Sequence, residues 1–387
     1  MAVTAWTVFF IVVFSILALV PLVWAIFKLR RETPALVAWI VGMMFTAFLL
    51  FITFGGMIVK WGERPSLTGH SATSEGAIIC VPPPTPTASP CEADVWILEY
   101  HHRVVGPNCP RTTTTVPEGT FCPPGQRPVF DFCERMQTGG VKQPWATWSD
   151  LSFVAAGFWL LWLFQYYDRM GSSDRRGTLI IPANADNPMV TIGALSVTYA
   201  LVVIFMGPPS MWYHASIKEW AGWFDAMSVV VWLFFNAAYV WVTICGPMWG
   251  KLRGIGRPIT VLCIWGGFLL TFGPIAYKVP DFRLVLYFIA GGSWGLGEII
   301  YLIVGCAKHS DVRFRRNAWL FLVNFLVLGA TMTIWVFWNP SVSLTSPPEA
   351  CQAREAFPGH AWFHILASLS CLITFFSFAS EKPETGS

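Results

Sequence analysis

Nine apolar stretches, near residues 4–27, 36–59, 145–166, 187–206, 220–245, 258–277, 283–305, 318–338 and 359–380, are each long enough to cross a bilayer as a helix. This decides the fold class. Hydrocarbon offers no partner to a backbone N–H or C=O, so a spanning segment must satisfy its own hydrogen bonds as a helix or close into a barrel. Segments of about 20 residues have the length a spanning helix needs. Composition agrees. Charged residues make up 12% of the chain and hydrophobic ones 55%, with 21 Trp and 31 Phe, whereas soluble domains carry about 25% charge. The expectation is an all-α integral membrane protein with nine transmembrane helices. The first stretch lacks a basic leader, has too long an apolar run for a signal peptide, and is stopped from behind by Lys28, Arg30 and Arg31. It reads as a retained span rather than a cleaved signal.

Basic residues set the orientation. The short connections 28–35, 167–186, 246–257 and 306–317 hold 13 of the 25 Lys and Arg, while the alternate connections 207–219, 278–282 and 339–358 hold three. The first set is expected on the cytoplasmic side. The N-terminus and the long 61–144 connection then face out, and the C-terminus faces the cytoplasm. Cys80, Cys91, Cys109, Cys122, Cys133 and Cys351 all fall in outer connections. Six is an even number, so three disulfides are expected in an oxidising compartment, with connectivity left open. Cys245, Cys263, Cys306 and Cys371 lie in or beside spans and read as packing residues. The chain thus divides into a two-helix hairpin (1–60), an extracytoplasmic Cys/Pro-rich loop (61–144), a seven-helix unit (145–380) and a short cytoplasmic tail (381–387). Membrane lipid is the expected partner. The net charge of +3 gives no reason to expect nucleic acid.

The polar residues inside these spans carry the chemistry, because an ionisable group at membrane depth is costly and usually has a partner or an ion. His360 and His364 are four apart, so one helix face presents both rings. His214 closes Ser210-Met211-Trp212-Tyr213-His214, and Asp225 follows eleven residues later. The charge-derived topology brings all of them to the outer face. On one unbroken helix His214 and Asp225 would stand about 16 Å apart at about 1.5 Å per residue, so the chain must turn between them, near Lys218, Glu219 and Gly222. Gly207-Pro208-Pro209 is expected to break the preceding helix just before Ser210. Three neutral imidazoles suit zinc with a fourth position open to water. Zinc brings that water's pKa to about 7. Asp225 would serve as general base, and Ser210 would donate a hydrogen bond to a developing oxyanion. The fitting reaction is hydrolysis of an amide or ester in an amphipathic lipid. Membrane histidines also serve simply as helix–helix hydrogen-bond partners; the convergence of a Ser, an Asp and three His on one face favours a site.

At these residues the chain resembles the alkaline ceramidase family of seven-helix membrane hydrolases, within the CREST superfamily. The family pattern is a Ser, a His four later, an Asp eleven beyond, and a distant HxxxH in the last helix. Ser210, His214, Asp225 and His360-Ala361-Trp362-Phe363-His364 match all three spacings. The resemblance covers about 130–380 and implies a seven-helix catalytic bundle. It implies zinc on His214, His360 and His364, with Asp225 and Ser210 around the bound water, and ceramide hydrolysis to sphingoid base and fatty acid. Gln143-Pro144-Trp145-Ala146-Thr147-Trp148-Ser149-Asp150-Leu151 looks like the start of the family's first helix. Asp131 and Glu134 look like the acidic part of its calcium site, although Met136 and Gln143 stand where the family has an Asn and a Glu. Ala226 also departs, where ceramidases commonly carry an acid.

The N-terminal hairpin and the cysteine-rich loop lie outside the family plan. Two alternatives stay open: a related hydrolase of esters or other N-acyl lipids, and a membrane receptor whose zinc is structural. Gly291-Gly292-Ser293-Trp294-Gly295 matches a nucleophile-elbow pattern, but it lies within an apolar helix, where small residues serve helix packing. Glu298, one turn further, is a membrane acid with no partner visible in the sequence.

Overall fold

The computed structural model describes residues 33–58, 143–173, 187–216, 219–245, 256–279, 282–307, 317–338 and 359–381, together with short pieces near 13–18, 78–81, 114–116 and 127–135 and residue 141. Among them are eight helices long and apolar enough to cross a membrane. The expected first span, 4–27, lies almost wholly outside the described residues. So do most of the 61–144 loop and the side chains of the six loop cysteines.

The helices are α1 (Thr33–Ile58), α2 (Pro144–Ser149), α3 (Leu151–Ser173), α4 (Ala194–Ser216), α5 (Glu219–Cys245), α6 (Gly256–Lys278), α7 (Phe282–Ala307), α8 (Ala318–Trp338) and α9 (Gly359–Ala379). Helices α2 and α3 form one span with a break at Asp150. The outer loop contributes short antiparallel pieces: β1 (Ile78–Val81) between β2 (Thr114–Val116) and β3 (Arg127–Pro128), and a separate pair, β4 (Phe130–Asp131) with β5 (Glu134–Arg135).

Helices α3, α4, α5 and α9 make the centre. Helix α4 packs on α3 and α5, α9 packs on α3, and α8 covers α9; α6 and α7 pack on α5. The burial pattern follows. The α4 span is 72% buried and the α8 span 11%, so α8 presents Phe325, Leu326 and Phe337 outward, as a lipid-facing helix does. Polar groups in the interior pair across helices. The Tyr199 hydroxyl (α4) donates to the Cys371 carbonyl (α9) at 2.7 Å and accepts from Trp232 Nε1 (α5) at 3.3 Å. Asn324 of α8 donates to Thr374 and accepts from Ser370, both on α9. At the end of the bundle remote from the histidines, Glu381 accepts from Arg257 at 3.1 Å and from Tyr239 at 3.1 Å, and Asn187 donates to the terminal carbonyls of Phe378 and Ala379.

Helix α1 packs on α4 and α3. Trp39 Nε1 donates to Gln165, and the Thr53 hydroxyl donates to the Pro208 carbonyl at 3.1 Å. The described helix of the 1–60 region is thus a layer of the bundle.

Two expectations need correction. The 187–206 span is displaced: the helix begins at Ala194 and runs to Ser216, because residues 187–193 form a turn whose Asn187 side chain caps α9. Gly207-Pro208-Pro209 does not break α4, which passes through both prolines. A proline removes one hydrogen bond from the helix ladder, and close packing of this segment keeps it helical: Ile204, Pro208, Pro209 and Met211 are all buried. Among the span cysteines, Cys371 is a packing residue, its sulfur 4.0 Å from Met206 Sδ, whereas Cys263 is exposed on α6.

Candidate metal centre

His360 is the second residue of α9 and His364 lies one turn further, so their rings share one face and meet edge to face with centroids 4.5 Å apart. His214, in the last turn of α4, meets both, with ring centroids at 4.9 Å from His360 and 5.2 Å from His364. His214 Nε2 and His360 Nε2 are 3.2 Å apart. One ring nitrogen from each of the three lies within 4.8 Å of the others, and all three residues are buried. Among the described residues this is the one grouping of three or more His, Cys, Asp or Glu side chains placed to share a cation.

The chain turns between His214 and Asp225 as the distance argument required, with α4 ending at Ser216 and α5 beginning at Glu219. Ser210 sits one helical turn before His214 on α4 and is buried. Its side chain lies beside two carboxylates, those of Asp225 on α5 and Asp150 at the α2–α3 break, which are close enough to act on one another. The five residues singled out from sequence therefore form one connected group. Asp150 is the link, because its Oδ1 is 3.1 Å from His364 Nδ1.

Three residues of the group were not read from the sequence. Gln143 holds His214 twice: its backbone N–H donates to the His214 carbonyl at 3.1 Å, and its Oε1 is 2.7 Å from His214 Nδ1. Ser149 Oγ is 2.8 Å from His364 Nδ1. Asp150 is fully buried. The signal for Asp150 was present, since a carboxylate within an apolar span demands a partner. Gln143 and Ser149 carry no charge and had no such signal.

Helix approach makes the group compact. A Cβ on Gly207 would lie 2.8 Å from the Asp150 carbonyl oxygen. Only glycine lets α4 come this close to the α2–α3 break.

Glu134 lies elsewhere. Its two carboxylate oxygens accept from the backbone N–H groups of Trp145 at 2.7 Å and Ala146 at 3.0 Å. These are donors that the first turn of α2 leaves unsatisfied. Glu134 belongs to no metal-binding grouping among the described residues, and the Asp131 side chain lies outside them. Ser293 accepts from Trp241 Nε1 at 3.0 Å within the α5–α7 contact, the packing role expected of that segment. Glu298 has a partner in Trp294 Nε1 at 3.3 Å.

Fold and site together define a multi-pass helical membrane protein with a buried three-histidine centre flanked by two carboxylates. No family model, curated protein or solved structure matches the chain.

Proposed function

We propose that this protein is a zinc-dependent hydrolase of an amphipathic membrane lipid, with the amide of ceramide or a similar N-acyl lipid as substrate and sphingoid base and fatty acid as products. The observation that carries the reading is the 3.2 Å approach of His214 Nε2 to His360 Nε2, with His364 alongside. Two nitrogens bound tetrahedrally to one zinc at about 2.0–2.1 Å stand roughly 3.3 Å apart, so the separation fits a shared ion. A structural centre has no use for the Ser and Asp that stand beside the ligands, and their presence favours catalysis.

When bound, zinc supplies an acidified water as the nucleophile at neutral pH. The chain supplies the rest. Asp225 takes the proton released on attack and returns it to the departing amine. The Ser210 hydroxyl donates to the carbonyl oxygen as negative charge develops on it. Gln143 and Ser149 hold two ligand rings in place. The apolar outer surfaces of α6, α7 and α8 keep the bundle in lipid, the phase that contains the substrate. The positive-inside distribution favours an extracytoplasmic position for this end of the bundle.

The test is purified protein assayed for zinc content and for hydrolysis of a lipid panel that pairs N-acyl with O-acyl substrates. One equivalent of zinc with amide turnover supports the proposal. Ester turnover without amide turnover replaces the substrate class and keeps the chemistry, while a zinc-free protein rejects both.

A further inference from the structure

We infer that Asp150, together with Ser149, is a positioning residue that fixes the tautomer of His364 and so selects Nε2 as its metal-binding atom. The inference rests on the proposed metal centre and adds to it two residues of the α2–α3 break.

The protons available around His364 Nδ1 decide its tautomer. Ser149 Oγ donates its single proton to the Ala146 carbonyl at 2.8 Å. A hydroxyl has one proton and two lone pairs, so toward His364 Nδ1, 2.8 Å away, Ser149 Oγ can only accept. Asp150 Oδ1 stands 3.1 Å from the same nitrogen, a close polar contact beside the Ser149 hydrogen bond. With Ser149 Oγ as the acceptor, His364 Nδ1 carries the proton of that hydrogen bond. In a neutral imidazole the other nitrogen then holds the lone pair. His364 therefore offers Nε2 to the cluster. The same count holds for His214, whose Nδ1 faces the Gln143 side-chain oxygen at 2.7 Å. Nε2 of His214 is left with its lone pair turned toward His360 Nε2, 3.2 Å away.

Asp150 differs from Ser149 and Gln143 in bringing a carboxyl group to the ring. A carboxylate on the far nitrogen of a ligating histidine raises the ring's basicity and locks its orientation. The fold puts it there through the α2–α3 break, where Asp150 leaves the α2 helix. The absence of a Cβ on Gly207 seats α4 against the Asp150 carbonyl. One residue thus touches the α9 ligand through its side chain and the α4 arm bearing Ser210 and His214 through its backbone.

The experiment is zinc affinity, measured by competition with a chelating indicator, on the full chain and on Asp150→Asn and Ser149→Ala, with thermal unfolding of each metal-free protein alongside. The cobalt-substituted visible spectrum reports ligand geometry. Asp150→Asn is expected to weaken zinc binding on the order of 10–100-fold and to shift the cobalt bands, with metal-free unfolding unchanged. Ser149→Ala is expected to weaken binding less. Wild-type affinity in both variants overturns the inference while leaving the metal centre intact, whereas a wild-type chain that binds no metal overturns the proposed function itself. Should Asp150→Asn be recovered only unfolded, Ser149→Ala decides: unaltered affinity there counts as rejection.

Discussion

His214 and His360 are 146 positions apart in the chain, yet their Nε2 atoms lie 3.2 Å from each other in a buried site. Two imidazoles are brought this close inside a membrane bundle either to share a proton or to share a cation. The three-ring cluster, with His364 alongside, could hold a cation, as the proposed function requires.

The first prediction concerns the ligands. His360→Ala is expected to reduce bound zinc to background and to abolish lipid hydrolysis while the helices stay folded. Metal analysis and circular dichroism on the same preparation check it. Full activity in a folded, metal-free variant would falsify the mechanism.

Ser210 and Asp225 are expected to separate chemistry from binding. Ser210→Ala should lower kcat by about 10²–10³-fold, the usual effect of losing an oxyanion donor. Asp225→Asn should lower it by about 10²–10⁴-fold. Zinc stoichiometry should stay at the wild-type value in both. Loss of metal together with activity would assign these residues to the structure of the centre instead.

Gly207→Ala places a methyl group 2.8 Å from the Asp150 carbonyl oxygen. Overpacking of this kind costs about 1–3 kcal/mol. A lower unfolding temperature in detergent is expected, together with weaker zinc binding as α4 is pushed away from Asp150. An unchanged melting curve would mean that the two helices part freely.

Thr53→Val tests α1 as a working layer of the bundle. The substitution removes the hydrogen bond to the Pro208 carbonyl with little change of shape, at an expected cost of about 0.5–1.5 kcal/mol. Since Pro208 lies two residues before Ser210 on α4, kcat should fall with stability. Wild-type values for both would mean that α1 does not support α4.

Much of this protein was legible in its sequence because the membrane leaves few choices. A run of about 20 apolar residues in lipid has to be a helix, and eight of the nine runs are helices among the described residues. His360 and His364 were readable as a pair because helical spacing alone puts both on one face. Asp225 was readable because a carboxylate in a span is expensive. The turn between His214 and Asp225 followed from the length of a helix.

What local pattern could not decide depended on neighbours distant in sequence. The prolines after Gly207 look like a helix end, yet packing keeps α4 continuous through Ser216. Gln143 and Ser149 are uncharged and have no period that marks them; each acquires its role only when α4 and α9 bring His214 and His364 into reach. Hydropathy located eight of the spans to within a few residues in most cases, and with them most of the side chains each carries. The crossing of α4, α9 and the α2–α3 break decided which of those side chains meet, because hydrogen bonds of about 3 Å are set by how closely helices pack, a property of the assembled bundle and not of any one segment.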